Sequence, residues 1–359
     1  MVTLEMIKKI PKVELHDHLD GGVRASTIVE LAAEQNIELP THDPDELAAW
    51  FQRGADRKSL ALYLEGFGIT LAVMQRPETL ERIASETIED LAVDNVMYAE
   101  IRFAPVLNQQ QGLNLETVVK SVLRGLEAGK RKTGVEYGLI LCAMRNQSVS
   151  LETAELAVSF RGKGVVGFDL AGDEYGHPPK RHLDAFEYIR QKNFNITIHA
   201  GEAFGMESIW QAIQLCGAHR IGHATRLLED MMVVGTRIEK MGSLSNYIRD
   251  KRIPLEMCLS SNVQTGVANN IDEHPFNIYY RNNFRVSLCT DNRLMSNTTL
   301  GKEMSLAVKH FNLTLGDLEK ITINSMKSAF VTHDERIRII YDILKPRFAR
   351  MREEITSIS

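Results

Sequence analysis

Eight short apolar runs, each followed by a stretch with helical periodicity, are the feature that most constrains the fold of this chain. The runs are Val13–Leu19, Asn95–Phe103, Glu136–Arg145, Val165–Gly172, Asn195–Glu202, Arg220–Thr225, Pro254–Asn262 and Arg285–Asn292. Strand-like runs that alternate with helical patterns indicate βα units and a parallel sheet. Eight strands close a (β/α)8 TIM barrel, which is the α/β fold that we predict. An open doubly wound sheet is the alternative, but no G-x-G-x-x-G motif follows the first run.

The stretch between the first two runs, about residues 21–94, is too long for a single crossover helix. Its pattern predicts four helices, Arg24–Gln35, Pro44–Arg53, Ser59–Met74 and Pro77–Asp94. In a barrel, an insertion after the first strand lies at the C-terminal face, where active sites form. We therefore expect one domain over residues 1–359, with this insertion forming a helical lid. A last helix, at about Asp334–Arg352, is expected to close the bottom of the barrel; the alternative is that it contacts a partner.

The composition excludes several classes of partner. Of the 359 residues, 44% are hydrophobic and 25% are charged, and the formal net charge is −5. Nucleic-acid binding usually shows as clustered basic charge, which this sequence lacks. The N-terminus has no signal-peptide pattern, and no segment approaches the roughly 18 apolar residues of a membrane span. The four cysteines form no CxxC pair, so we expect no disulfide framework and a cytoplasmic protein.

Chemically reactive side chains stand at the ends of these runs, where barrel enzymes hold their catalytic residues. His16 and His18 are two residues apart, so a strand directs both imidazoles to the same side. A third imidazole from His199 and a carboxylate from Asp291 complete an N3O set that suits Zn²⁺ and leaves room for a water. A water on such a metal has its pKa lowered toward 7 and becomes a hydroxide nucleophile.

Taken singly, these residues have ordinary structural explanations. Two histidines two residues apart are also common where no metal binds, and Asp291 also suits a helix N-cap. Glu202 also suits the first turn of a helix, and His223 alone also suits a hydrogen-bonded core position. Their coincidence at the ends of alternating runs is what predicts a metal site with an acid and a base beside it.

Five motifs follow one another along the chain: PKVELHDHLDGG, GFDLAGDE, ITIHAGE, RIGHAT and SLCTDN. Their order and spacing, from about Pro11 to His333, resemble the motif set of the adenosine deaminase family, within the amidohydrolase superfamily. The resemblance implies a zinc-dependent aminohydrolase, with one Zn²⁺ per subunit. Its substrate would be a small-molecule purine nucleoside: adenosine, and also 2′-deoxyadenosine, converted to inosine and ammonia in purine salvage.

The resemblance also implies a role for each residue of the site. The zinc ligands would be His16, His18, His199 and Asp291. A protonated Glu202 would donate to the purine ring nitrogen beside the amino-bearing carbon, which requires burial to raise its pKa. His223, assisted by Asp291, would orient and help deprotonate the water. The backbone N–H of Gly172 would bond another ring nitrogen, and Asp20 would accept from a ribose hydroxyl, with His18 also facing the substrate.

The segment from Leu60 to Phe67 resembles the apolar lid that covers the nucleoside in this family. The residues concerned are Leu60, Tyr63, Leu64 and Phe67. The alternative is a plain amphipathic helix that is buried on one face.

The chain departs from the family pattern at Asn292, where the family usually has a second acid directly after Asp291. That acid normally contacts the nitrogen of the five-membered purine ring, and it must carry a proton to donate there. An amide NH₂ donates without any pKa change, so we hypothesise that Asn292 keeps this contact. Asp17, between the two metal-binding histidines, is expected to point away from the metal; it either pairs with a basic residue or lines the barrel.

The altered residue leaves other aminopurines open as substrates, namely free adenine or a modified adenosine such as aminofutalosine. Adenine-specific relatives tend to carry Glu in place of the Asp of the HLDG motif, so Asp20 favours a nucleoside. AMP deaminases carry a long N-terminal extension that this sequence lacks. The zinc deaminases of cytosine and of nucleic acids need P-C-x-x-C, and no CxxC is present.

The sequence argues against two other classes of function. Two-metal hydrolases on the same barrel often use a modified lysine at the end of the fourth strand, but that run ends in Asp169-Leu-Ala-Gly172. A barrel that serves only as a binding module would be expected to lack Glu202 or a metal ligand, and all of these are present.

Overall fold

The computed structural model describes residues 2–358, with side chains described as far as residue 354. Its strands are β1 (Lys12–His18), β2 (Val96–Phe103), β3 (Glu136–Met144), β4 (Val165–Ala171), β5 (Asn195–Ala200), β6 (Arg220–His223), β7 (Met231–Val234), β8 (Arg237–Met241), β9 (Leu255–Met257) and β10 (Val286–Leu288). All except β7 and β8 form one parallel sheet in chain order.

The sheet closes on itself where the end of β1 meets the residue that follows β10. The His18 N–H donates to the Asp291 carbonyl at 2.8 Å, and the Asp291 N–H donates to the His16 carbonyl at 2.7 Å. The predicted (β/α)8 barrel is therefore confirmed. Its strands are buried almost throughout, which explains why runs such as β3 and β4 are mainly apolar in the sequence.

The helices lie mainly around this barrel. They are α1 (Leu4–Lys9), α2 (Ala25–Gln35), α3 (Pro44–Ala55), α4 (Leu60–Leu64), α5 (Phe67–Val73), α6 (Pro77–Val93), α7 (Leu115–Thr133), α8 (Ser150–Ser159), α9 (Leu183–Gln191), α10 (Met206–Gln214), α11 (Ser243–Lys251), α12 (Leu259–Gln264), α13 (Phe276–Arg281), α14 (Leu300–Phe311), α15 (Leu315–Ser328), α16 (His333–Arg338) and α17 (Lys345–Ile358). Short 3₁₀ turns follow β2, precede α9 and follow β6.

The insertion after β1 is helical as predicted, but the helix expected over Ser59–Met74 is two helices, α4 and α5. At the junction, Glu65 donates to the Leu62 carbonyl and Gly68 to the Glu65 carbonyl, each at 3.3 Å. These bonds span three residues rather than four, so the backbone tightens there. Gly66 stands at the break, and glycine favours the helical conformation least among residues other than proline.

The structure differs from the sequence prediction at the seventh run and in the segment that precedes it. The strand expected over Pro254–Asn262 is only β9, and its polar end lies on the short helix α12. Between β6 and α11 the chain also forms the antiparallel hairpin β7–β8, which the sequence did not predict. The hairpin turns at Gly235, whose φ of 61° is accessible to glycine without strain.

The C-terminal segment closes the bottom of the barrel. A π-helical turn over Ile339–Leu344 joins α16 to α17. Ile339, Ile340 and Leu344 are buried in one cluster with Val13 and Leu15 of β1. This packing agrees with the predicted role of the segment.

All four cysteines are free and buried. Buried thiols of this kind pack as small apolar groups. Within residues 2–358, no helix has the length and apolar character needed to cross a membrane.

Candidate active site

The predicted site residues come together at the carboxyl ends of the barrel strands. His16 and His18 end β1, His199 lies at the end of β5, His223 ends β6, and Asp291 follows β10. Of these, His18, His199, His223 and Asp291 line the floor of a cavity of about 290 Å³, near the lower end of the size range of small-molecule sites, roughly 300–1,000 Å³.

Four potential metal-ligand atoms converge on this floor. The Nε2 atom of His199 lies 3.0 Å from Nε2 of His16 and 3.1 Å from Nε2 of His18. The Oδ1 atom of Asp291 lies 3.3 Å from Nε2 of His16 and 3.4 Å from Nε2 of His18. Three imidazole nitrogens and one carboxylate oxygen at such short mutual distances form a set that can surround one cation.

Two buried carboxylates orient the imidazoles from behind. Nδ1 of His16 lies 2.8 Å from Oε2 of Glu256, and Nδ1 of His199 lies 3.0 Å from Oδ2 of Asp169. Each contact holds the ring so that Nε2 faces the other ligand atoms, as second carboxylates do in many metal sites. Neither role was predicted from the sequence, although an acid inside an apolar strand run was a signal for it.

Arg102 links these two carboxylates inside the barrel. Its guanidinium donates to Asp169 at 3.0 Å and to Glu256 at 2.8 Å, and all three side chains are fully buried. Burial opposes the ionisation of Glu256, but the charges of Arg102 and Arg220 hold its pKa well below its usual range. The carboxylates are therefore compensated anions, as buried charges must be.

His223 stands beside the four ligand atoms but has different partners. Its Nε2 lies 3.5 Å from Oε2 of Glu202, and its Nδ1 lies 3.0 Å from Nδ2 of Asn262. Together with His16, His199 and Asp291 it offers atoms within 4.8 Å of one another. Burial lowers the pKa of His223 to about 4. Its φ of 65° is rare for a residue with a side chain, and such backbone conformations cluster at functional sites.

Glu202 follows β5 and faces the same space. It is 5% exposed, and Thr265 donates to its Oε1 at 3.3 Å. Burial, reinforced by the negative charge of Asp291, raises the pKa of Glu202 to about 8. At neutral pH this carboxyl therefore carries a proton that it can donate.

A second glutamate, Glu174, fixes the loop that carries Glu202. Its carboxylate accepts four backbone N–H groups at 2.7 to 2.9 Å, those of Gly201, Glu202, Ala203 and Phe204. Four donors around one buried carboxylate form an anion nest. The motif that contains Glu174 was recognised in the sequence, but this role was not.

Asp20 and Gly172 line the cavity, as predicted for groups that contact a substrate. Burial raises the pKa of Asp20 to about 7, and among the described residues its Oδ1 has no hydrogen-bond partner. Gly172 has a φ of 99°, and a side chain there would be strained. The unpartnered Oδ1 of Asp20 is therefore suited to accept a hydrogen bond from a hydroxyl group of a ligand.

The upper wall is apolar and comes from the insertion. Its lining residues from the insertion are Leu60, Tyr63, Leu64, Phe67 and Leu71. Tyr63 is buried, and its hydroxyl lies 3.1 Å from the Ser296 hydroxyl and also contacts the side chain of Asn292. Asn292 lines the cavity too, and its Oδ1 has no partner among the described residues. These contacts place the predicted lid segment against the predicted purine contact.

Asp17 lies away from the ligand cluster. Its Oδ2 is 2.9 Å from Nε of Arg293, so of the two predicted alternatives the structure shows pairing with a basic residue. Since the pair is almost fully buried, it ties β1 to the loop after β10.

Comparison with known proteins identifies the same family that the order of the sequence motifs resembles. Residues 11–346 match the family described as adenosine deaminase. An adenosine deaminase from Mycobacterium marinum is 52% identical over 355 residues, which cover 97% of this chain and 98% of that protein. An Arabidopsis ADAL structure with IMP has a TM-score of 0.82 at 28% identity and covers 96% of this chain and 99% of that one. A Burkholderia ambifaria amidohydrolase with bound Zn has a TM-score of 0.84 at 22% identity, covering 99% of this chain and 96% of that one.

Proposed function

The chain belongs to the adenosine deaminase family of hydrolases that act on C–N bonds, and from this premise we propose that it deaminates adenosine and 2′-deoxyadenosine. The products are the corresponding 6-oxopurine nucleoside (inosine from adenosine) and ammonia, and the reaction belongs to purine salvage. A zinc ion, one per subunit, is the proposed cofactor.

The convergence of His16, His18, His199 and Asp291 carries this proposal. Their closest ligand atoms are separated by 3.0 to 3.4 Å. Zinc bonds to nitrogen and oxygen are about 2.0–2.2 Å long, so ligand atoms around one zinc ion are expected to lie roughly 3–3.5 Å apart. The donor set, three nitrogens and one oxygen, also fits zinc better than magnesium or calcium, which prefer oxygen. The residues therefore fit a zinc ion.

A zinc ion held by these four residues would lower the pKa of a bound water toward 7 and would so supply the nucleophile at neutral pH. The remaining chemistry is assigned to side chains of this protein. Glu202, protonated at neutral pH, donates its proton to the purine ring nitrogen beside the carbon under attack. This donation neutralises the charge that the attack places in the ring. His223 and Asp291, on the same side of the cavity, orient the attacking water.

The remaining contacts select a nucleoside. The unpartnered Oδ1 of Asp20 accepts a hydrogen bond from a ribose hydroxyl, and the backbone N–H of Gly172 bonds a ring nitrogen. Asn292 donates to the five-membered ring. The apolar residues Tyr63 and Phe67 cover the base, and desolvation there strengthens each of these polar contacts. Free adenine lacks the ribose and forfeits the Asp20 contact.

The proposal is tested by following the ultraviolet change of adenosine, 2′-deoxyadenosine and adenine with the purified, zinc-loaded enzyme. We expect turnover of both nucleosides and little turnover of adenine. Glu202→Gln should lose activity by at least about 10²-fold, the scale of general acid catalysis, while keeping its zinc. Glu155→Gln, at an exposed position of α8, is the matched control and should behave like the wild type.

Each contrary outcome has a distinct meaning. Turnover of adenine in preference to both nucleosides would overturn the nucleoside assignment. Inactivity on all three substrates with zinc bound would retain the metal site and reject the substrate, and a modified adenosine such as aminofutalosine would be assayed next. Full activity of Glu202→Gln would reject its role as proton donor.

A further inference from the structure

A chain of buried hydrogen bonds leads away from the far side of His223. Its Nδ1 lies 3.0 Å from Nδ2 of Asn262, and Oδ1 of Asn262 lies 3.1 Å from Nε2 of His274. Nδ1 of His274 in turn lies 3.1 Å from the backbone nitrogen of Phe276. The side chains of His223, Asn262 and His274 are all at most 1% exposed, so water does not compete for these bonds.

The backbone N–H of Phe276, at the end of this series of hydrogen bonds, determines the donor and the acceptor of every bond in the series. The N–H of Phe276 can only donate, so Nδ1 of His274 must accept. Burial lowers the pKa of His274 to about 3, so this imidazole carries one proton at neutral pH, and that proton is on Nε2. His274 therefore donates to the amide oxygen of Asn262.

The side-chain amide of Asn262 passes this orientation on to His223. Because its oxygen accepts from His274, the NH₂ group of Asn262 is directed toward His223. An amide NH₂ can only donate, so Nδ1 of His223 must accept and carries no proton. The proton of His223 is then on Nε2, the nitrogen that faces Glu202 at 3.5 Å.

We propose that His274, acting through Asn262, is a positioning residue that keeps the proton of His223 on Nε2. The catalytic consequence rests on the proposed function. With an N–H directed into the cavity, His223 holds the attacking oxygen as a hydrogen-bond donor and does not take its proton in the resting state. This refines the role expected from the sequence, in which His223 helps to deprotonate the water.

The proton position is measured directly by long-range ¹H–¹⁵N correlation of the histidine rings in the zinc-loaded enzyme without substrate. The two ring nitrogens of one imidazole differ strongly in ¹⁵N shift according to which of them bears the proton. The His223 signals are assigned by their loss in His223→Gln. We expect an Nε2–H pattern for both His223 and His274. This readout does not depend on the substrate, so failure of the proposed function would leave it intact.

Three substitutions, at Asn262 and His274, test this series of hydrogen bonds itself. Asn262→Asp presents only acceptors, so the proton of His223 should move to Nδ1. A catalytic histidine held in the wrong tautomer loses up to about 10⁴-fold in kcat, so we expect kcat to fall by at least about 10²-fold with little change in KM. His274→Gln keeps an N–H donor toward Asn262 and should retain the Nε2–H pattern, whereas His274→Phe should not.

An Nδ1–H pattern of His223 in the wild-type enzyme would overturn the proposal, whether or not any variant folds. So would an unchanged Nε2–H pattern in both Asn262→Asp and His274→Phe. If only the kcat of Asn262→Asp stayed at the wild-type value while the proton moved, the tautomer assignment would stand and its catalytic consequence would be rejected.

Discussion

Oε2 of Glu174 accepts the backbone N–H of Glu202 at 2.9 Å. The same carboxylate receives the N–H groups of the neighbouring residues Gly201, Ala203 and Phe204. A side chain in the loop after β4 thus fixes the main chain of the loop after β5. The charge of Glu174 also adds to the burial and the Asp291 charge that raise the pKa of Glu202. One buried carboxylate therefore fixes the main chain of the proposed proton donor and also helps to keep that donor protonated.

Glu174→Gln is expected to weaken this arrangement. The amide has one acceptor oxygen in place of two, and its NH₂ group opposes the backbone donors. A buried donor left without a partner costs about 1–3 kcal/mol of unfolding free energy, and misplacement of a catalytic group by about 1 Å costs up to about 10²-fold in rate. Thermal unfolding and kcat measure the two effects. Glu155→Gln is the control, and equal behaviour of the two variants would contradict the role.

The activity is expected to fall as the pH rises through about 8. The reason is that burial raises the pKa of Glu202 to about 8, and only the protonated carboxyl can donate to the purine. The pH profile of kcat/KM reports such an ionisation in the free enzyme. A profile that stays flat well above pH 8 would show that the ionisation of Glu202 does not limit the reaction.

Asn292→Ala tests the proposed contact with the five-membered ring. Loss of one hydrogen bond to a buried ligand costs about 0.5–1.5 kcal/mol, so kcat/KM for adenosine should fall up to about tenfold. Asn292→Asp should approach the wild-type value only at low pH, since an acid must be protonated to donate. The comparison is Asn277→Ala, on α13 and outside the cavity lining. If Asn292→Ala changes kcat/KM no more than Asn277→Ala does, the idea is wrong.

Asp169→Asn is expected to weaken zinc binding without removing a ligand. Oδ2 of Asp169 lies 3.0 Å from Nδ1 of His199, and loss of such an outer carboxylate typically lowers metal affinity by 10–100-fold. Competition with a chelator measures the affinity, and zinc content by elemental analysis should approach one per subunit in the wild type. Asp184→Asn, at an exposed position of α9, serves as the control. Equal affinity of both variants would argue against the orienting role.

Much of the site follows from local periodicity and from the order of the motifs. The spacing of His16 and His18 already directs both rings to one side of a strand. Eight alternating units predicted a barrel, and a barrel brings the carboxyl ends of its strands together. Asp20, Gly172 and Asn292 were likewise expected at the cavity that they line. The catalytic and binding roles of all these site residues remain predictions.

The sequence by itself therefore determined the barrel, the helical insertion and part of the cavity lining, because strand and helix periods are local properties. Only the tertiary structure decided which partners stand behind those residues. Glu256 lies 240 positions from His16, and His274 reaches His223 only through Asn262. The tertiary structure alone also showed the break between α4 and α5, the hairpin β7–β8 and the helix α12. Such contacts depend on barrel closure and side-chain packing, which join distant segments and leave no periodic trace in the sequence.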